Sequence, residues 1–88
     1  MKTPVYATAF KRDIKLLAKR GKDLSKIKEV GQILLDGKPL DRKYVDHPLK
    51  GNYNGFRDLH IEPDWILIYK TTSEAVFFER TGTHSDLF

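Results

Sequence analysis

The run Trp65-Ile66-Leu67-Ile68-Tyr69 narrows what this chain can fold into more than any other stretch. As an extended strand it puts Trp65, Leu67 and Tyr69 on one face and Ile66 and Ile68 on the other, so both sides of the pleat are apolar. That pattern suits a strand covered on both sides in the middle of a sheet. A central strand needs partners, and the sequence offers one on each side. Phe56 to Ile61 is rich in aromatic and branched residues and is closed by Glu62-Pro63-Asp64, where Pro63 cannot donate to a ladder and favours a turn. Thr71-Thr72-Ser73-Glu74 is polar and of hairpin length, and Ala75 to Glu79 resumes the apolar run before Gly82 interrupts it. The three segments read as consecutive antiparallel strands.

This topology has a chemical consequence. Consecutive antiparallel strands alternate in direction, so the end of the first, the start of the second and the end of the third share one edge of the sheet. His60, Asp64, Trp65 and Arg80 fall on that edge, with His84 and Phe88 just beyond it. Two imidazoles, a carboxylate and a guanidinium brought together can supply a general base, a general acid and an anion clamp. Each also has a plainer reading. A histidine is often a surface or satisfied core residue, Arg80 could pair with Glu79 or Asp64, and Trp65 could pack at a strand start. Phe88 has no such default and could stack on a base.

The N-terminal half reads as support. Val5 to Phe10 is β-prone and suits an edge or second central strand. Phe10, Ile14, Leu17 and Ala18 recur at the spacing of one buried helix stripe, predicting a helix from Lys11 to Arg20 whose other face carries Lys11, Lys15, Lys19 and Lys22. Gly21 suits a stop and Asp23 an N-cap for a second helix that buries Leu24, Ile27, Val30 and Leu34 and ends at Gly37-Lys38-Pro39. The two helices are expected to pack as a hairpin on one face of the sheet, lysines outward. Leu40 to Asn54 is polar and reads as a loop, in which His47 has no place assigned by spacing; alternatively Lys50 to Tyr53 is a strand fragment that lengthens the first strand of the meander. The expected fold class is α+β: one domain over residues 1–88, a small antiparallel-rich sheet carrying two N-terminal helices.

Composition excludes several chemistries. There are no cysteines among the 88 residues, hence no disulfides and no thiolate metal sites, which fits a reducing cytoplasm. Apolar runs fall far short of membrane-spanning length, and MKTPVYATAF lacks a secretory apolar core, so a cytoplasmic chain with no membrane partner is expected. The histidines are 13 and 24 residues apart and match no short metal-ligand pair. A G-x-S-x-G elbow and glycine-rich phosphate loops are also missing. What survives is acid/base work on a phosphodiester, with no metal or other cofactor. Residues 11–30 hold eight Lys or Arg against three acids, whereas residues 31–88 hold seven against nine, so positive potential gathers on the helical segment. Such a surface suits RNA or an acidic protein. A non-catalytic basic module that binds either one shares this pattern and is the alternative reading.

In DHPLKG, FRDLHIEPDWILIYK and FERTGTH, followed by LF, the sequence resembles the YafQ branch of the RelE superfamily of bacterial toxin ribonucleases. The likeness is close from Asp46 to Phe88 and weaker before it. It implies a microbial-RNase-like fold, ribosome-dependent cleavage of mRNA in the A site, and neutralisation by a cognate antitoxin. Matched to the family motifs, the catalytic set is His47, His60, Asp64, Arg80 and His84, with Trp65 and Phe88 holding substrate bases; all are present. The reaction implied is attack of the RNA 2′-oxygen on the adjacent phosphate, with His84 as acid, Asp64 with His60 or His47 as base, and Arg80 stabilising the phosphorane; acid and base could be exchanged. Lys11, Lys15, Lys19 and Lys22 would contact ribosomal RNA, and binding through phosphates would be strongly salt-dependent.

Overall fold

The computed structural model describes all 88 residues, Met1–Phe88. In chain order the elements are β1 (Thr3–Tyr6), α1 (Thr8–Lys19), α2 (Ser25–Leu35), a 3₁₀ turn (Arg42–Tyr44), β2 (His47–Pro48), a second 3₁₀ turn (Gly51–Tyr53), β3 (Arg57–Glu62), β4 (Trp65–Thr71), β5 (Ala75–Gly82) and the single-turn α3 (His84–Leu87). They form one five-stranded sheet in the order β1-β5-β4-β3-β2. β1 runs parallel to β5 and every other pairing is antiparallel. This is the α+β arrangement expected, and the apolar run forms the central strand β4.

The two faces of β4 are buried differently. Trp65, Leu67 and Tyr69, with Leu59, Val76 and Phe78 of neighbouring strands, join Phe10 and Leu17 of α1 and Ile27, Val30, Leu34 and Leu35 of α2 in the main core. Each such aliphatic side chain contributes roughly 1.5–3 kcal/mol on burial. The Trp65 indole N–H donates to Thr81 Oγ1 at 2.9 Å and the Thr81 hydroxyl donates to the Ile66 carbonyl at 2.9 Å, so these polar groups are buried without loss of partners. On the opposite face Ile66 and Ile68 meet Leu87, with Leu49, Tyr53 and Phe56 packed partly over them.

Several local expectations need correction. The strand expected from Val5 to Phe10 stops at Tyr6, and Thr8 to Phe10 open α1 instead. The turn lets the Phe10 ring lie 5.8 Å from Tyr6 and 5.6 Å from Phe78, a burial that outweighs β propensity. Ala18 is exposed and outside the buried stripe. Asp23 accepts from the Ser25 backbone and hydroxyl at 3.0 and 2.6 Å, so it stabilises the turn into α2 one residue ahead of the cap position, which Leu24 occupies. The segment from Leu40 to Asn54 is not a plain loop. His47 and Pro48 pair with Asp58 and Arg57, and Gly51–Tyr53 is helical, which rules out the strand fragment at Lys50–Tyr53. Just ahead of β2, Val45 has φ 48°, a left-handed conformation that costs a β-branched residue about 1–2 kcal/mol and turns the chain back onto β3.

β5 contains a bulge. Tyr69 lies opposite Phe78 but Ile68 lies opposite Arg80, leaving Glu79 as an extra residue. Val76 and Phe78 belong to the main core and Thr81 bonds Trp65 within it, so Arg80 shares the other face of the sheet with Ile68. No helix is long and apolar enough to cross a membrane.

Candidate active site

The face that α1 and α2 leave uncovered gathers most of the candidate residues. Arg80 of β5, Ile68 of β4, Asp58 of β3 and His47 of β2 stand opposite one another in a row across four strands. His60, two residues beyond Asp58 and therefore on the same face, lies opposite Ile66 in the next row. After β5, α3 brings the His84 ring to 5.6 Å from that of His60, while the His47 ring stands 6.4 Å away on the other side. The three imidazoles thus form a line with His60 in the middle.

A carboxylate stands at each end of the line. The Asp64 Oδ1 is 2.7 Å from His84 Nδ1 and accepts the His84 backbone N–H at 3.0 Å; these two contacts, the backbone one first, hold the Asp64 carboxyl below the usual carboxylate range. With Nδ1–H directed at Asp64, Nε2 is the His84 nitrogen left for a substrate. At the other end Asp58 Oδ1 is 2.6 Å from His47 Nδ1. That contact has ion-pair distance without hydrogen-bond alignment, and Asp58 Oδ1 and His60 Nδ1 are buried atoms with no aligned partner. Burial pushes the Asp58 carboxyl above its ordinary value, opposed by His47 and His60. A buried carboxylate beneath two imidazoles suits a site that handles protons.

Short-range bonds fix the pieces. Asp46, adjacent to His47, accepts from Arg57 Nη2 at 3.0 Å and from the Tyr69 hydroxyl at 2.5 Å. α3 opens with a reciprocal capping box, Thr83 Oγ1 accepting from the Asp86 backbone at 3.1 Å and Asp86 Oδ2 from the Thr83 backbone at 2.9 Å. Arg20, at the end of α1, forks onto the same Asp86 carboxylate at 2.7 and 3.1 Å and, with the Thr83 N–H, keeps it far below its ordinary range. A Cβ on Gly82 would lie 2.9 Å from Asp86 Oδ2, so this clasp requires glycine there.

The residues singled out from sequence divide accordingly. His47, His60, Asp64 and His84 are brought together. Arg80 lies on the same face but pairs with neither Glu79 nor Asp64; its Nε and Nη2 donate to Asp13 of α1 at 2.7 and 3.1 Å, with the Tyr53 hydroxyl beside it. Phe88 is 63% exposed, its ring edge-on to Tyr53 at 6.1 Å, and is free to stack. Trp65 is not: at 0% exposure, with its N–H committed to Thr81, it cannot hold a base and its role is in the core. Lys11, Lys15 and Lys19 are exposed, but Lys22 donates to Glu62 at 2.8 Å and lies 5.5 Å over the Trp65 ring, while Lys26 takes the other Glu62 oxygen at 2.6 Å. The two ammonium groups bring the Glu62 carboxyl down to about 2.

Sequence reading missed Asp58, although its spacing of two from His60 in a strand was a usable signal. No local signal places His47, because a two-residue strand has no periodicity. No cluster of three or more of these groups is disposed to hold one metal ion. The largest concavity, about 570 Å³ and lined by Lys2, Arg42, Asp46 and Arg57 among others, contains none of the histidines. His60 borders a smaller concavity of about 460 Å³ with Lys43, Tyr44 and Ile61, while His47 and His84 are exposed, an arrangement that suits a polymer lying across the site better than an engulfed small molecule.

The family model described as a bacterial toxin of type II toxin–antitoxin systems, YafQ, matches residues 2–88. The chain belongs to the YafQ toxin family. It is 50% identical over 84 residues to the mRNA interferase toxin YafQ of Escherichia coli strain K12, covering 94% of this chain and 91% of that protein. The crystal structure of YafQ from E. coli strain BL21(DE3) matches with a TM-score of 0.94 at 46% identity, covering 100% of this chain and 99% of the other. YafQ in the E. coli DinJ–YafQ complex matches with a TM-score of 0.92 at 47% identity, covering 100% and 99%.

Proposed function

We propose that this chain is a ribosome-dependent endoribonuclease that cleaves mRNA in the ribosomal A site and is neutralised by a cognate antitoxin. The observation that carries the reading is the line His47, His60, His84 with Asp58 and Asp64 at its ends, on an uncovered face beside Arg80. An mRNA interferase among its relatives and a relative solved in a toxin–antitoxin complex support the substrate and the partner.

In the step proposed, the RNA 2′-hydroxyl loses its proton to a base as its oxygen bonds to the adjacent phosphorus. The bond to the 5′-oxygen breaks, and an acid protonates that oxygen, giving a 2′,3′-cyclic phosphate and a free 5′-hydroxyl. His84 is the acid. Its contact with Asp64 favours a supporting role for that carboxylate over the role of base: Asp64 orients the ring through Nδ1, leaves Nε2 toward the leaving group and supplies a counter-charge for the protonated form. His60 is the base, at the centre of the line, and His47 backed by Asp58 stands next to it as the alternative. Arg80 stabilises charge on the phosphorane through N–H groups aimed at the phosphate. Phe88 stacks on a base, and Lys11, Lys15 and Lys19 contact ribosomal RNA.

Primer-extension mapping on a defined message, with and without ribosomes and with a chelator, tests the whole reading. The expected result is ribosome-dependent, chelator-resistant cleavage that is lost in His84→Ala and in Arg80→Ala. Parental rates in both variants overturn the assignment, and equal cutting of naked RNA overturns the ribosome requirement. Ribosome binding should weaken steeply with salt and on reversing Lys11, Lys15 and Lys19; a flat response removes the lysine contacts.

A further inference from the structure

We propose that Asp13, on α1, is a positioning residue of the nuclease centre that sets the orientation in which Arg80 meets the scissile phosphate; this rests on the reading just given. β1 covers the outer edge of β5 only as far as Phe78, with Ala7 adding a last bond to the Phe78 carbonyl. Beyond that point the edge has no strand partner, and a backbone N–H left there needs an acceptor. Asp13 provides it: Oδ2 accepts the Thr81 N–H at 3.1 Å. The carboxylate is thus anchored on the backbone one residue from Arg80, and it grips the guanidinium with both oxygens, Nε at 2.7 Å and Nη2 at 3.1 Å.

An anchored bidentate partner does something that a surface counter-ion does not. Of the five guanidinium N–H groups, Asp13 takes two, which fixes the plane of the fork; the Tyr53 hydroxyl lies beside the rest, on Nη1 and Nη2, which remain the donors for a further acceptor. The pair is well shielded, with side chains 27% and 12% exposed for Arg80 and Asp13. A long, rotamer-rich side chain is thereby held ready before substrate arrives, which matters because small misplacements of a charge-stabilising group reduce rate steeply. Asp13 touches no reacting atom; it acts through Arg80.

A double-mutant cycle measured as single-turnover cleavage of ribosome-bound message, with ribosome affinity and thermal unfolding alongside, decides the matter. Asp13→Ala should slow cleavage by about tenfold to a hundredfold at unchanged ribosome affinity, and Asp13→Asn, which keeps the shape but weakens the grip, should fall between. In an Arg80→Ala background, Asp13→Ala should slow cleavage no further. Additive losses would show that Asp13 serves only the strand edge and would overturn the proposal; so would a parental rate in Asp13→Ala where Arg80→Ala is impaired. If Asp13→Ala does not fold, Asp13→Asn alone and over Arg80→Ala completes the same cycle. A parental rate in Arg80→Ala itself would remove the assignment of Arg80 and this proposal with it, an outcome distinct from the other two.

Discussion

The two faces of β4 carry different tasks. Toward the helices, Trp65, Leu67 and Tyr69 lie in a cluster of 13 buried residues, where the Trp65 indole N–H is met by Thr81 and the Tyr69 hydroxyl by Asp46. Toward the other side, Ile66 and Ile68 share a cluster of three with Leu87, and around them the same sheet carries imidazoles, a half-buried guanidinium and a buried carboxylate lacking an aligned partner. Side chains alternate along a strand, so one five-residue run serves both. Stability is concentrated on the covered face, and the open face tolerates polar groups because the first has already held the sheet together.

Substitutions that separate the two faces test this division. The largest effect expected is on the open face: His84→Ala should lower cleavage by about 10²- to 10⁴-fold while shifting unfolding by no more than ~0.5 kcal/mol, since the side chain is exposed. The reverse should hold for Leu67→Ala, which should cost about 2–5 kcal/mol in denaturant titration, with specific activity of the folded fraction retained. Thr81→Val, which strands the buried indole N–H, should cost about 1–3 kcal/mol. Asp58→Asn should raise the thermal midpoint near neutral pH yet lower activity. Burial raises the folded pKa of Asp58, so the native state holds that proton more tightly and loses stability as pH climbs above the usual carboxylate range; the amide removes this slope. An Asp58→Asn variant that is less stable, or fully active, would break the comparison. The smallest effect is at the rim. Glu62 has a folded value depressed to about 2, so its contribution is present above its ordinary value and fades as pH falls from there toward 2. Acid titration of Glu62→Gln should show a shallower loss over that window, and added salt should mute the difference.

The covered face can be read from the sequence because burial imposes periodicity: Ile27, Val30 and Leu34 at helical spacing and Trp65, Leu67 and Tyr69 at strand spacing each declare a side. The meander follows from Pro63 and from the polar stretch at Thr71–Glu74. The open face is legible only in part. His60, Asp64 and His84 converge through strand order alone, but His47 arrives through a two-residue bridge and a strained Val45 that carry no pattern. Asp13 and Arg20, which steady Arg80 and α3, lie in another element 67 and 66 residues from their partners, beyond any local signal. Trp65 shows the opposite failure: its motif position suggested substrate contact, and its volume sent it to the core.

The extra residue in β5 behaves like an insertion in a reading frame. Val76 and Phe78 point one way, and by simple even-odd counting Arg80 would follow them beneath the helices, where a guanidinium has no business. Glu79 shifts the count by one, so every later side chain changes sides and Arg80 joins the face that carries Ile68, Asp58 and His47. A chain lacking Glu79 could keep every residue of the proposed catalytic set and still turn the other side of its final strand toward the histidines.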